Sequence, residues 1–99
     1  MSLYHDKTNK STTRVMSVHQ NPLTQAVELT YHKEHGVMMR NLVNAHCEEY
    51  LLSVTEKISI PPCWEQITFR KEGAENLHET MARVKILIEI LVVCGFKEV

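Results

Sequence analysis

The sequence lacks the clustered glycines from which phosphate-binding loops are built. Its three glycines, Gly36, Gly73 and Gly95, are far apart in the chain. A P-loop or a dinucleotide-binding turn places several glycines within a few residues, so that the backbone can approach the phosphates. We therefore predict no nucleotide site, and no other cofactor is suggested by the sequence.

Spacings typical of metal sites are also missing. The three cysteines contain no C-x-x-C pair, and the six histidines are scattered. A structural zinc site takes four N or S ligands in a tetrahedral arrangement, usually supplied as two close pairs. Two pairs come nearest to this spacing, His32 with His35 and His46 with Cys47. Adjacent residues of a helix point about 100° apart, so His46 and Cys47 cannot easily bind the same ion. We predict no metal site.

The chain has no excess of positive charge. It contains 11 Lys and Arg residues against 12 Asp and Glu residues, which gives a formal net charge of −1. Proteins that bind nucleic acid mainly by electrostatic attraction are strongly basic. The composition therefore argues against a protein that binds nucleic acid mainly by charge. It does not exclude one that binds nucleic acid through a few specific contacts.

Long apolar runs are absent. The longest, from Ile86 to Cys94, contains Glu89 and has about half the length of a membrane-spanning helix. The N-terminus shows neither the basic region nor the apolar region of a signal peptide. Unpaired cysteines are typical of reducing compartments. We expect a cytoplasmic protein with no membrane association.

The first half of the chain predicts an N-terminal arm and a β-hairpin. Residues 1–12 are polar and are expected to form a mobile arm, with one domain over residues 13–99. Residues 26–33 alternate apolar and polar with a period of two, which predicts a strand paired with residues 14–20. The alternative is a helix that begins at Asn21-Pro22.

The second half predicts a helix, a strand and a second helix. Broad apolar spacing predicts a helix from about Val37 to Glu56, which Pro61 and Pro62 terminate. A short strand over residues 64–70 follows, with a helix that starts at Pro62 as the alternative. The last helix runs from about Ala74 to Cys94, and Gly95 fits the left-handed position after a helix end.

These elements predict a small α+β domain. The order is β-β-α-β-α, with a short antiparallel sheet and two helices packed across one of its faces. The alternative fold is all-α, a long helical hairpin, which would require the helical interpretation of residues 62–73.

The last helix is the main candidate for an interaction surface. Eight of the nine residues from Ile86 to Cys94 are apolar, and a helix that is apolar all round must be covered on all sides. One face is assigned to the core of the domain. Because Glu89 is expected to point outward, the surplus face contains Ile86, Glu89, Ile90 and Val93. We predict a non-catalytic protein–protein interaction module, a small modulator or adaptor, which pairs this face about a two-fold axis as a homodimer.

Trp64 is a second candidate contact residue. It follows Pro61-Pro62 in the sequence, and exposed tryptophans often anchor protein interfaces. We include it among the predicted partner-contact residues.

A competing hypothesis is a dimeric DNA-binding regulator. Residues 13–52 loosely resemble the ribbon-helix-helix repressors, in which a strand from each of two copies forms a ribbon that enters the major groove. The resemblance implies contacts from the strand Arg14–Gln20, namely from Arg14, Met16 and Val18. It requires residues 22–35 to be helical.

A third hypothesis is an enzyme or a metal-binding protein centred on Cys63 or the histidines. Cys63 lies between Pro62 and Trp64 and is expected to be the most accessible thiol. Nucleophilic catalysis needs a base within hydrogen-bond reach and an oxyanion site, and no sequence signature for these flanks Cys63. We therefore predict no catalytic residues.

Overall fold

A computed structural model describes residues 13–50, 52–71 and 77–99 of the chain. Within these ranges the chain forms five strands, two α-helices and one turn of 3-10 helix. In chain order they are β1 (Arg14–Asn21), β2 (Ala26–His32), the 3-10 turn (Lys33–His35), α1 (Gly36–Tyr50), β3 (Leu52–Ile60), β4 (Trp64–Lys71), α2 (Leu77–Val93) and β5 (Phe96–Glu98). The predicted N-terminal arm, residues 1–12, lies outside the described residues.

The described strands form one sheet in the order β3-β4-β2-β1-β5. β1 pairs with β2, β2 with β4 and β4 with β3, all antiparallel, while β5 runs parallel to β1. α1 and α2 pack on the same face of this sheet, so the protein is an α+β domain with two layers, as predicted.

The core lies between the sheet and the helices. Its members are apolar side chains that share one face of the sheet with the inner sides of the helices: Met16, Val27, Leu29, Tyr31, Ile67 and Phe69 from the strands, and Met39, Val43, Val84, Leu87 and Leu91 from the helices. The strand register places these core side chains on one face of the sheet, because Val27 lies opposite Phe69 and Leu29 lies opposite Ile67 where β2 pairs with β4. Alternate residues of these strands point to the opposite face, which we call the open face.

The predicted hairpin is confirmed, with β1 and β2 close to the predicted 14–20 and 26–33. Between the strands, Asn21 Oδ1 accepts a hydrogen bond from the Leu23 amide at 3.1 Å, and Gln25 adopts a positive φ of 60°. An Asx-type bond and a left-handed residue are typical of tight turns. The helix that was the alternative for residues 22–35 is therefore wrong, because residues 26–32 are a strand.

The first predicted helix was too long. α1 ends at Tyr50, and residues 52–60, which include Leu52, form the edge strand β3 instead. The predicted strand at residues 64–70 is present as β4 and pairs with β3 along its length. The all-α helical hairpin is therefore wrong, because it needed a helix over residues 62–73 and residues 64–71 of that segment form β4.

The last helix ends one residue before the predicted end at Cys94. α2 stops at Val93, and Gly95 has a φ of +98°, a left-handed conformation that glycine adopts without a Cβ penalty. The predicted start, Ala74, lies outside the described residues. The chain then turns into β5, a strand that was not predicted, and Phe96 is buried in the core.

Candidate interaction surface

α2 carries apolar residues on two opposite sides. Its inner side buries Val84, Leu87 and Leu91 against the sheet. The other side points away from the sheet and carries Ile86, Ile90 and Val93, with Glu89 beside them. We call these four residues the outer face of α2. The inner side alone explains how the helix is held on the sheet.

The outer face of α2 is accessible and slightly concave. Ile90 is 37% exposed and Val93 is 87% exposed, while Ile86 is partly buried. Together with Glu89 and Cys94 they line a shallow cavity of about 260 Å³. The structure thus brings together the four α2 residues that the sequence singled out. Glu89 is exposed, so its carboxylate avoids the cost of burying an unpaired charge.

Trp64 lies on the other side of the molecule. It is the first residue of β4 and points to the open face, opposite His32 of β2 in the register. Its indole ring contacts the His32 ring edge-on, with 5.5 Å between the centroids. Trp64 is therefore not part of the surface formed by α2.

The residues of the DNA-binding hypothesis do not form an exposed ribbon. Met16 is only 1% exposed, and Val18 packs against the core. The Arg14 guanidinium lies against Gly95, because a Cβ at Gly95 would be 2.9 Å from Arg14 Nη1. β1 is hydrogen-bonded on both edges, to β2 and to β5, so it has no free edge over residues 14–16 for a second copy.

All three thiols are partly buried and form no disulfide with one another. Cys63 is partly buried in the turn between β3 and β4, where its carbonyl oxygen accepts a hydrogen bond from the Lys33 amide at 2.8 Å. Burial raises the pKa of the Cys47 thiol, and the thiolate is the reactive form of cysteine. Among the described residues, no three His, Cys, Asp or Glu side chains are close enough together to hold a metal ion.

A polar cluster that the sequence did not predict joins α1 to the sheet. Tyr31 donates a hydrogen bond to Glu65 Oε1 at 2.9 Å, and Arg40 Nη1 donates to the same oxygen at 3.0 Å. Burial, together with the adjacent Glu65 carboxylate, raises the pKa of Tyr31 above its usual range. Gly36 leaves room for this cluster, since a Cβ there would lie 2.6 Å from Arg40 Nη1. No local sequence signal points to it, because the partners are 25 and 34 positions apart.

A second polar contact joins the helices. Nε2 of His46 in α1 donates a hydrogen bond to the carbonyl oxygen of Arg83 in α2 at 3.1 Å. Burial lowers the pKa of His46, and the bond to Arg83 and the nearby Glu49 oppose this in part. His46 therefore has a structural role between the helices.

Neither described helix has the length and apolar character needed to cross a membrane. Comparison with known proteins adds no constraint on function: no protein-family model, no curated protein and no solved structure matches this chain.

Proposed function

We propose that this chain is a non-catalytic protein–protein interaction module, a small modulator or adaptor, that works as a homodimer through the outer face of α2. The observation that carries the proposal is the exposure of Ile90 and Val93 beside the partly buried Ile86, on a helix whose other side is already covered. Contiguous apolar surface on a small protein is typical of an interaction site.

A second copy of the same chain is the partner that suits this face by charge. Lys85 and Glu89 are both exposed and lie one helical turn apart, on the same flank of the outer face. When the outer faces of two α2 helices pack antiparallel about a two-fold axis at a height along α2 between Leu87 and Ile88, Lys85 of each copy lies close to Glu89 of the other. An isologous contact repeats each such pair twice.

The apolar residues suit the same arrangement. Antiparallel packing about that axis brings Ile86 of each helix close to Ile90 of the other, and the small side chain of Ala82 permits close approach of the two helices. The apolar residues then occupy the centre of the contact and the charged pairs its rim, which is the usual arrangement in protein interfaces.

We place this function in the cytoplasm, where free thiols are stable. Cys47, Cys63 and Cys94 are unpaired with one another, and reducing compartments keep cysteines in that state. The proposal includes no enzymatic activity.

Light scattering coupled to size exclusion tests the dimer. We expect the wild-type chain at micromolar concentration to have twice its chain mass of 11.5 kDa, and Ile90→Glu to have the chain mass because it buries a charge at the contact. Val37→Glu is the matched control: Val37 is 68% exposed on α1, so the same change there should leave the dimer intact. A monomeric wild type would refute the proposal.

A charge exchange tests the two-fold pairing itself. Lys85→Glu and Glu89→Lys each place like charges opposite one another in the dimer, so each should weaken dimerisation. The double exchange restores opposite charges and should return the dissociation constant to about the wild-type value. Failure of the double exchange to rescue dimerisation would contradict the antiparallel arrangement, even if Ile90→Glu had dissociated the dimer.

A further inference from the structure

The open face of the sheet is divided into an apolar end and a polar end. At the end near the turn between β3 and β4, it carries Val15, Ile58, Ile60 and Trp64. Towards the opposite end it carries charged and polar residues of the middle strands and β3, namely His19, Glu28, Glu56, Thr68 and Arg70. The apolar end is therefore a localised feature and not a general property of this face.

The apolar end contains a cleft of about 210 Å³. Its walls come from segments that are distant in sequence: Val15, Met16 and Ser17 of β1, Thr30 of β2, Ile60 of β3, Trp64 of β4, and Val99. The Val99 amide donates a hydrogen bond to the Met16 carbonyl oxygen at 2.9 Å, which fixes that residue at the rim. No residue that lines the cleft carries a charged side chain.

Contacts within the protein hold the residues that form the walls of the cleft in place. The Trp64 indole rests edge-on against His32, and His32 Nδ1 accepts a hydrogen bond from the Glu34 amide at 3.2 Å. On the floor, the Thr30 hydroxyl accepts a hydrogen bond from Gln66 Nε2 at 3.1 Å. A binding site with fixed walls loses little conformational entropy when a ligand enters.

Size and charge indicate the class of ligand. An engineered apolar cavity of about 150 Å³ accepts benzene, so this cleft has room for one aromatic ring with a short substituent. Lys97 lies directly opposite Val15 in the parallel register of β5 and β1, on the same face and exposed. Within the described residues it makes no salt bridge, so it is available to a carboxylate on the substituent.

We propose that this cleft is a binding site for a small carboxylic acid with a single aromatic ring. The ring lies against Trp64, Ile60 and Val15, and the carboxylate reaches Lys97 at the rim. The site lies on the opposite face of the domain from the outer face of α2. It is therefore independent of the proposed dimer.

Tryptophan fluorescence tests the site directly, because Trp64 is the single tryptophan of the chain. We expect titration of the full chain with phenylacetate to give a saturable change in emission. Phenylacetamide, which has the same shape without the charge, should bind about fivefold more weakly, which is the scale of one exposed ionic contact. Acetate alone should give no saturable change.

Two variants locate the binding. Lys97→Met keeps the aliphatic stem of an exposed residue and should abolish the preference for phenylacetate over phenylacetamide. Val15→Phe fills the cleft and should abolish binding of both. Ile90→Glu, which changes only the outer face of α2, should leave the titration unchanged, so that failure of the dimer and failure of this site are distinguishable.

Three results would overturn the proposal. The first is the absence of a saturable change with phenylacetate, and the second is equal binding of acid and amide to the wild-type chain. The third is tighter binding of a capped Asp-Phe peptide than of phenylacetate, since that would assign the cleft to a protein segment.

Discussion

α1 and α2 lie in the same layer on the same sheet, but their outer sides differ. α1 buries Met39 and Val43 and presents Asn41, Asn44 and Glu48 to solvent. α2 buries Leu87 and Leu91 in the same way, yet it presents Ile90 and Val93. α1 is an ordinary amphipathic helix, whereas α2 is apolar on both sides.

The comparison distinguishes the apolar residues that hold the helices on the sheet from those that do not. Burial of one apolar side is sufficient to hold α1 on the sheet, so the second apolar side of α2 has no evident role within the described domain. Val37, which is exposed at the start of α1, has no large exposed apolar neighbour among the described residues of that helix, and single exposed apolar residues are normal on protein surfaces. The apolar residues on the outer side of α2 form a group and need a different explanation.

Truncation of the buried inner sides should have the largest effect on stability, and the two helices should respond alike. Leu87→Ala removes a fully buried side chain and should lower the free energy of unfolding by about 2–5 kcal/mol, through lost burial and the cavity left behind. Met39→Ala on α1 is the matched change. Urea unfolding followed by circular dichroism measures both, and a loss below about 1 kcal/mol at either site would show that the two helices do not share one core.

The end of α2 should respond to changes in backbone conformation. Gly95→Ala puts a Cβ on a residue with a φ of +98° and within 2.9 Å of Arg14 Nη1. We expect a loss of about 1–2 kcal/mol in the free energy of unfolding. Gly95→Asn should cost less, because asparagine tolerates the left-handed region better than alanine. If Gly95→Asn instead lowered the melting temperature more than Gly95→Ala, contact with Arg14, and not the φ angle, would determine which side chains residue 95 tolerates.

The contact between the helices should make stability depend on pH. His46 is 3% exposed, and burial lowers its pKa below the ordinary 6.5. The unfolded chain therefore binds more protons as the pH falls through and below 6.5, so the free energy of unfolding decreases towards acid. One such group contributes at most about 1.4 kcal/mol per pH unit.

His46→Gln isolates this contribution, because the other five histidines remain in both chains. The difference in unfolding free energy between wild type and variant should shrink as the pH is lowered from about 7.5 to about 5.5. A constant difference over that interval would show that His46 does not titrate below its unfolded-state pKa.

The hairpin and the end of α2 were predictable because their signals are local. Alternation in residues 26–32 and a glycine at position 95 depend only on neighbours in the chain. The residues of the outer face of α2 were predictable for the same reason, since helical periodicity places Ile86, Ile90 and Val93 on one side.

β3 was missed because two periodicities overlap in its sequence. Leu52 continues the helical spacing of α1, and the alternation of the strand is shifted by an irregularity between Val54 and Glu56. A β-bulge of this kind changes which residues face the core, so a period of two is not visible across it. Pairing with β4 decides the outcome, and that is a non-local contact. The cleft on the open face was missed for the same reason, because its walls come from segments between Val15 and Val99.

The smallest expected effect concerns the outer sides of the helices. Val93→Ser removes an apolar group that is 87% exposed, and exposed substitutions usually change the free energy of unfolding by less than about 0.5 kcal/mol. In the dimer, however, folding and association are linked, so the wild-type melting temperature should rise with protein concentration. Val93→Ser should reduce that dependence, and Val37→Ser on α1 should not. If the wild-type melting temperature were the same at low and high concentration, the outer sides of α1 and α2 would be equivalent in solution, and the difference in their composition would have no consequence for assembly.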